Sequence, residues 1–197
     1  MTEAQWDKLL KIRSSGRDDT HSDQYRFPYE PTPYPVLERL SSSGHVTKKN
    51  TLIDYGCGKG RVSFFLSWQT RCKSIGIEYD ERIFRALAEN RENAVSGSRV
   101  EIFHAKAETF DVPQDADRCY FFNPFSIEIL RAVIGRIRTS WYELPRGIEL
   151  FFYYPSDEYT SWLMSLDGVV LSDEILCADL FEGNDPREKI LVFELSG

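Results

Sequence analysis

The stretch from Asn50 to Arg61, NTLIDYGCGKGR, limits the possible folds of this chain more than any other. A short apolar run, NTLIDY, enters a loop with glycine at Gly56, Gly58 and Gly60, and a helix-forming run, Arg61 to Gln69, starts directly behind it. Without side chains, such a loop turns sharply and lets the backbone approach a ligand closely. The helix behind it presents unpaired N–H groups and the positive end of its dipole. A strand, a glycine loop and a helix in that order predict the opening unit of an α/β sheet.

The rest of the chain repeats the pattern. Further strands are predicted at Lys73–Tyr79, Val100–His104, Arg118–Phe122 and Gly147–Tyr154, with helices at Glu81–Asn93, Ile127–Thr139 and Glu158–Ser165 between them. Two last strands, Val169–Leu180 and Lys189–Leu195, are joined by the turn-rich EGNDPRE. Strand–helix alternation predicts a mostly parallel, seven-stranded, doubly wound α/β sheet, and the closing pair predicts one antiparallel strand near the C-terminal end. Upstream, residues 3–14 carry Trp6, Leu9, Leu10 and Ile12 at helical spacing. The polar stretch SSGRDDTHSDQ follows and reads as a loop. Tyr25–Pro35, dense in proline and aromatic residues, reads as an extended strap, and Val36–Leu40 begins a helix. The expected organisation is an N-terminal helix and loop over 1–28 and one catalytic domain over 29–197.

A dinucleotide fingerprint wants glycine three residues after Gly58, where this chain has Arg61. The downstream acid is nevertheless present. Glu78 ends the second strand, 24 residues after Asp54, where a carboxylate can accept both hydroxyls of a ribose. Its plainer role is to cap a turn with Asp80.

Taken together, these residues resemble class I S-adenosylmethionine-dependent methyltransferases. Their signature, an acid followed by x-G-x-G-x-G after the first strand, is matched by Asp54, Gly56, Gly58 and Gly60, and their second-strand acid by Glu78. The resemblance implies S-adenosyl-L-methionine as cofactor. Gly56 and Gly58 would lie against its methionine part with Asp54 supporting the loop, Glu78 would hold the ribose, and Tyr79 would lie beside the adenine. The loop after the third strand reads His104-Ala105-Lys106-Ala107-Glu108. Lys106 stands where the family often has an acid for the adenine amino group, and an ammonium cannot accept that bond. Glu108 is the expected substitute, and the Ala107 N–H is a candidate partner for an adenine ring nitrogen.

The fourth strand ends in Phe121-Phe122-Asn123-Pro124-Phe125-Ser126. Asn123 and Pro124 resemble the first half of the [D/N]-P-P-[Y/F] motif of amine-directed methyltransferases, which implies a nitrogen acceptor and places Asn123 beside both methyl and acceptor. A turn that merely stops the strand is the alternative. The strap residues Tyr29 and Thr32, in YEPTP, resemble a segment of some non-SET lysine methyltransferases that folds over the methionine end. Packing on the domain edge is the alternative. At Phe151–Tyr154 the side chains alternate, so one pair is expected in the core.

Composition narrows the chemistry. Lys and Arg number 24 against 31 Asp and Glu, and the excess lies in residues 101–197, which carry 8 bases against 18 acids. An acidic chain gains little from releasing the counterions of a phosphate backbone, so a protein or small-molecule amine is favoured as acceptor over RNA. No domain that reads a DNA sequence is visible. The three histidines and four cysteines fall in no metal-ligand spacing, so no metal is expected. No apolar run is long enough for a membrane span, and the start lacks a secretory signal, so the expected location is cytoplasmic. Two other readings remain, a noncatalytic cofactor- or partner-binding protein and a nicotinamide-dependent oxidoreductase.

Overall fold

Strand β1 (Thr51–Tyr55) is buried along its whole length, which requires cover on both faces. It pairs in parallel with β2 (Lys73–Glu78) on one side and β4 (Arg118–Phe121) on the other. Outside these lie β3 (Val100–His104) and β5 (Ile148–Tyr153), also parallel. Strand β7 (Lys189–Leu195) then runs antiparallel between β5 and β6 (Val169–Leu176). The computed structural model describes residues 1–16 and 29–195. Within them the seven strands lie in the order β3-β2-β1-β4-β5-β7-β6, with β7 reversed, as the alternation and the closing pair predict.

One face of the sheet is covered by α1 (Glu3–Leu10), α2 (Tyr34–Ser42), α3 (Arg61–Gln69) and Leu87 of α4 (Glu81–Asn93). The opposite face carries α5 (Ile127–Glu143) and α6 (Asp157–Met164). Side chains of β5 alternate between the two cores. Phe151 and Tyr153 enter the first, and Leu150 and Phe152 the second. The expectation that one aromatic pair of 151–154 would be core is therefore too narrow. Both faces are covered, and only Tyr154 of the four is half-buried.

Local chemistry explains where the helices start. Asp80 caps α4 by accepting from the Arg82 and Ile83 N–H groups, and Thr2 with Gln5 forms a reciprocal cap on α1. Helix α1 stops at Leu10, short of the predicted 14, because Lys11 adopts a left-handed conformation with φ 58°. Helix α2 starts at Tyr34 instead of Val36, since Pro35 is tolerated in a first turn, where its missing N–H costs nothing. The strap thus becomes helical earlier than its composition suggests. Residues 17–28, with most of the polar loop and Tyr25–Pro28, lie outside the described residues. Helix α5 continues to Glu143, and β6 ends at Leu176, followed by a 3-10 turn over Ala178–Leu180.

Helix α1 is built into the main body. Trp6 stacks on Tyr34 with centroids 5.6 Å apart and meets the edges of Phe65 and Trp68. Asn90 of α4 ties it further, accepting from Arg13 N–H at 2.8 Å and donating to the carbonyls of Arg13 and Lys59.

Candidate functional site

At the carboxyl ends of β1, β2 and β4 the chain leaves a cleft, the usual ligand position in an open α/β sheet. It is lined by Gly56 and Cys57 of the glycine loop, Asp54, Glu78, strap residues Tyr29 to Thr32, Arg61, Tyr120, Phe122 and Pro124, among others. Gly56, Gly58 and Gly60 all have positive φ, at 69°, 56° and 87°. The Gly56 and Cys57 N–H groups both donate to the Ile77 carbonyl at 3.0 Å, which folds the loop against β2.

Each glycine is crowded differently. A Cβ on Gly56 would lie 2.5 Å from Pro124 Cβ, so the Asn-Pro turn rests directly on the first glycine. One on Gly58 would lie 2.1 Å from the Tyr29 ring. Tyr29 covers the middle of the loop, donates its hydroxyl to the Ser14 carbonyl at 2.5 Å and lies under Lys59, whose ammonium is 5.0 Å from the ring centroid. Gly60 faces Phe64 and Leu87. It permits the close packing of α3 on α4, while the cleft is formed by its neighbours.

Two carboxylates are buried in the cleft. Glu78 accepts the Gly58 N–H at 3.0 Å on Oε2 and the Asp80 N–H at 2.8 Å on Oε1. The turn-capping role considered from sequence is therefore real. Burial raises the Glu78 pKa, and the backbone donors of Asp80, Gly58 and Tyr79 oppose that rise. Asp54 accepts from Ser63 Oγ at 2.8 Å. Burial pushes its carboxyl up to about 7, with the charge of Glu78 adding and Ser63 opposing. A carboxyl raised on folding lends stability that is complete below its unfolded value near pH 4 and is lost as the pH climbs toward 7. The thermal midpoint of Asp54→Asn, measured against wild type from pH 4 to 7, should accordingly gain on wild type as the pH rises. A difference that stays flat would refute the raised carboxyl.

Arg61, read from sequence only as a break in the dinucleotide fingerprint, is 3% exposed and lines the cleft. Its guanidinium lies over the Tyr34 ring, 4.4 Å from the centroid. Nε donates to Ser14 Oγ at 2.8 Å, and Nη1 donates to Glu3 and, at 3.2 Å, to the Thr32 carbonyl. Asp7 completes the cluster. It accepts from the N–H and hydroxyl groups of Ser14 and Ser15 and from the Tyr34 hydroxyl. Burial alone would raise its pKa, but these bonds and Arg61 hold it below the usual carboxylate range.

Of the residues singled out from sequence, Tyr29, Thr32, Asp54, Gly56, Glu78 and Pro124 line the cleft together. Thr32 meets the Tyr120 hydroxyl at 3.0 Å. Asn123 has φ 39°, and its carboxamide braces the turn: Nδ2 donates to the Tyr154 carbonyl at 2.5 Å and Oδ1 accepts from Ser156 N–H at 3.3 Å. Tyr79 is exposed at the end of β2, with Lys106 6.0 Å from its ring centroid. Ala107 and Glu108 sit in a 3-10 turn after β3, where Ala107 joins the core on the α5 face. Neither is part of the cleft wall, and Gly58, Gly60, Tyr79 and Asn123 also lie outside it. The sequence reading overlooked Tyr120, Phe122 and Arg61. The available signal was a lone cation opening an otherwise apolar helix, since a buried arginine needs partners.

Among the described residues, no group of three or more His, Cys, Asp or Glu could hold a metal ion, and no helix is long and apolar enough to cross a membrane. Cys57, Cys72, Cys119 and Cys177 are free and buried.

No protein-family model matches the chain. A protein-lysine N-methyltransferase of Saccharolobus islandicus is 38% identical over 72 residues, which cover 36% of this chain and 45% of that protein. The chain thus aligns with less than half the length of that relative. An RNA methyltransferase from Salinibacter ruber, solved with S-adenosyl-L-homocysteine, superposes with a TM-score of 0.54 at 18% identity, covering 85% of this chain and 93% of that one. An rRNA methylase from Streptococcus thermophilus gives 0.57 at 15% identity, with coverages of 85% and 97%. Mitomycin 7-O-methyltransferase gives 0.62 at 12% identity, with coverages of 83% and 53%. The chain has the Rossmann-like fold of class I S-adenosylmethionine-dependent methyltransferases.

Proposed function

We propose that this chain binds S-adenosylmethionine in the cleft and transfers its methyl group to a nitrogen, with a protein lysine or a small-molecule amine as acceptor. The observation that carries the cofactor reading is Glu78. It is a buried carboxylate tied to the glycine loop through Gly58 N–H, and it keeps accepting capacity for the ribose hydroxyls. The remaining donor set fits the same ligand. In the lining, the acids Asp54, Glu78 and Glu30 outnumber the one base, Arg61, which suits a ligand carrying a sulfonium better than a pyrophosphate. A nicotinamide dinucleotide is disfavoured on that ground, and also because Arg61 stands where its fingerprint needs glycine.

Bound S-adenosylmethionine supplies a methyl on a sulfonium, which a nucleophile takes by in-line displacement. What the chain must add is position. Pro124, packed on Gly56, sets the Asn123 turn against the loop that would hold the sulfonium side. Asn123 stands next to the lining residues Phe122 and Pro124, its Oδ1 could take an acceptor N–H beside that of Ser156, and Phe122 and Tyr120 offer aromatic faces that tolerate positive charge. A neutral amine attacking in this way needs no histidine base. The match to a protein-lysine N-methyltransferase supports the nitrogen acceptor.

Titration with S-adenosylhomocysteine and NADH, followed by transfer of tritiated methyl to lysine-rich polypeptide, small amines and RNA, tests the proposal. Micromolar binding of the sulfur ligand alone, with label in an amine, is expected. Binding of NADH alone, or label confined to RNA or to hydroxyl acceptors, would overturn it. Asn123→Ala should slow label transfer on the order of a hundredfold, by letting the turn shift, while S-adenosylhomocysteine affinity stays within about twofold. Unchanged turnover in that variant would remove Asn123 from the acceptor site.

A further inference from the structure

Resting on the cofactor reading above, we infer that Arg61 receives the carboxylate of the cofactor's amino-acid group and that Glu3 of α1 holds the same guanidinium as an exchangeable surrogate when the cleft is empty. An amino-acid group is a zwitterion, and its carboxylate needs a cation. Among the described residues lining the cleft, the other charged side chains are acids, Glu30, Asp54 and Glu78, and Arg61 is the one base. Its guanidinium reaches the wall of the cleft, since Nη1 donates to the carbonyl of Thr32, itself a lining residue.

The two acids already facing Arg61 differ in kind. Asp7 is buried and is fixed by five bonds from Ser14, Ser15 and Tyr34, and its oxygen stays 3.8 Å from Arg61 Nη2. It holds the guanidinium in place and cannot leave without stranding several donors. Glu3 is 46% exposed, lies in the first turn of α1, and among the described residues accepts from Arg61 and from the Tyr34 N–H. Its carboxylate can return to water at small cost. Arg61 is thus held from behind by one permanent acid and closed by one replaceable acid, and a ligand carboxylate can take the place of the second. A third carboxylate added beside both would leave the cluster with excess negative charge, so entry of the ligand requires Glu3 to leave. Occupancy of the cleft and the attachment of the first turn of α1 become linked.

The test compares two ligands by calorimetry, S-adenosylhomocysteine and its decarboxylated form, which keeps the amine and lacks only the carboxylate. They are titrated into wild type, Glu3→Gln and Arg61→Lys. Glu3→Gln removes the internal competitor and should tighten S-adenosylhomocysteine roughly fivefold while leaving the decarboxylated ligand within about twofold. Arg61→Lys replaces the planar fork with a point charge and should weaken S-adenosylhomocysteine about tenfold, again with little change for the decarboxylated ligand. The inference is overturned if Glu3→Gln leaves S-adenosylhomocysteine unchanged or weakens it, or if both ligands move together. Glu3 is at the surface, so that variant decides the matter even where Arg61→Lys folds poorly. Failure of wild type to bind either ligand would instead bring down the cofactor reading, and the inference with it.

Discussion

S-Adenosylhomocysteine is expected to lose at least about a hundredfold in affinity when Glu78 is replaced by alanine. Two charge-assisted bonds to ribose hydroxyls, each worth about 1.5–3 kcal/mol, would disappear together. The substitution also strands the N–H groups of Gly58 and Asp80, which Glu78 now accepts. A buried donor left without a partner costs about 1–3 kcal/mol, so some loss of thermal stability should accompany the loss of binding. Glu78→Gln separates the two effects. Its amide oxygen can still accept one of these N–H groups, but its NH2 presents donors where a carboxylate accepts, so binding should suffer more than stability. Calorimetry and thermal melts on both variants provide the check. Retention of micromolar affinity in Glu78→Ala would remove the residue from the cofactor site.

The second large effect is on folding. Gly60→Ala should lower stability by about 3 kcal/mol, the sum of overpacking and of a side chain forced into a left-handed conformation. The new Cβ would lie 2.5 Å from Phe64 and 2.6 Å from Leu87, and the backbone there has φ 87°. Both neighbours belong to the core on the α3 face, with no solvent to retreat into. For a chain of this length the loss corresponds to a fall of roughly 6–12 °C in Tm. By contrast, the third glycine contributes little to ligand contact, so residual folded Gly60→Ala protein should still bind S-adenosylhomocysteine. A mutant that melts with wild type would mean that α3 and α4 can part to admit the methyl group.

Boundaries were easiest to read where punctuation residues force them. Helix α3 starts at Arg61 because Gly60 ends the loop, α4 starts at Glu81 because Asp80 caps it, and both end where periodicity fails. The pairing of the glycine loop with Glu78 was equally legible, since both follow from strand ends in a parallel sheet. The cluster around Arg61 was not. Its partners Glu3, Asp7, Ser14 and Thr32 lie 29–58 residues away in sequence, and no spacing rule joins an N-terminal helix to the start of α3. The polar serines after α1 look like loop from composition, yet Ser14 is fully buried because Asp7, Tyr29 and Arg61 all use it. Likewise, Ala107 and Glu108 were placed by motif alone, and the 3-10 turn that follows β3 directs Ala107 into the core.

The reversed strand has a consequence for how the molecule is made. β6 precedes β7 in the chain, yet among the described residues it pairs with β7 alone, which also provides the outer partner of β5. During synthesis, β1 to β5 can assemble in order as they emerge, because each finds a partner already made. Val169–Leu176 cannot. It must wait, with β5 still an open edge, until Lys189–Leu195 has left the ribosome and slotted between them. Through that interval the nascent chain displays the unpaired backbone of β5, whose apolar inner residues Leu150 to Phe152 are fully buried in the finished fold. A chain cut off just before Lys189 would therefore be prone to sticking to its neighbours, and extension through Leu195 would end that exposure in one step.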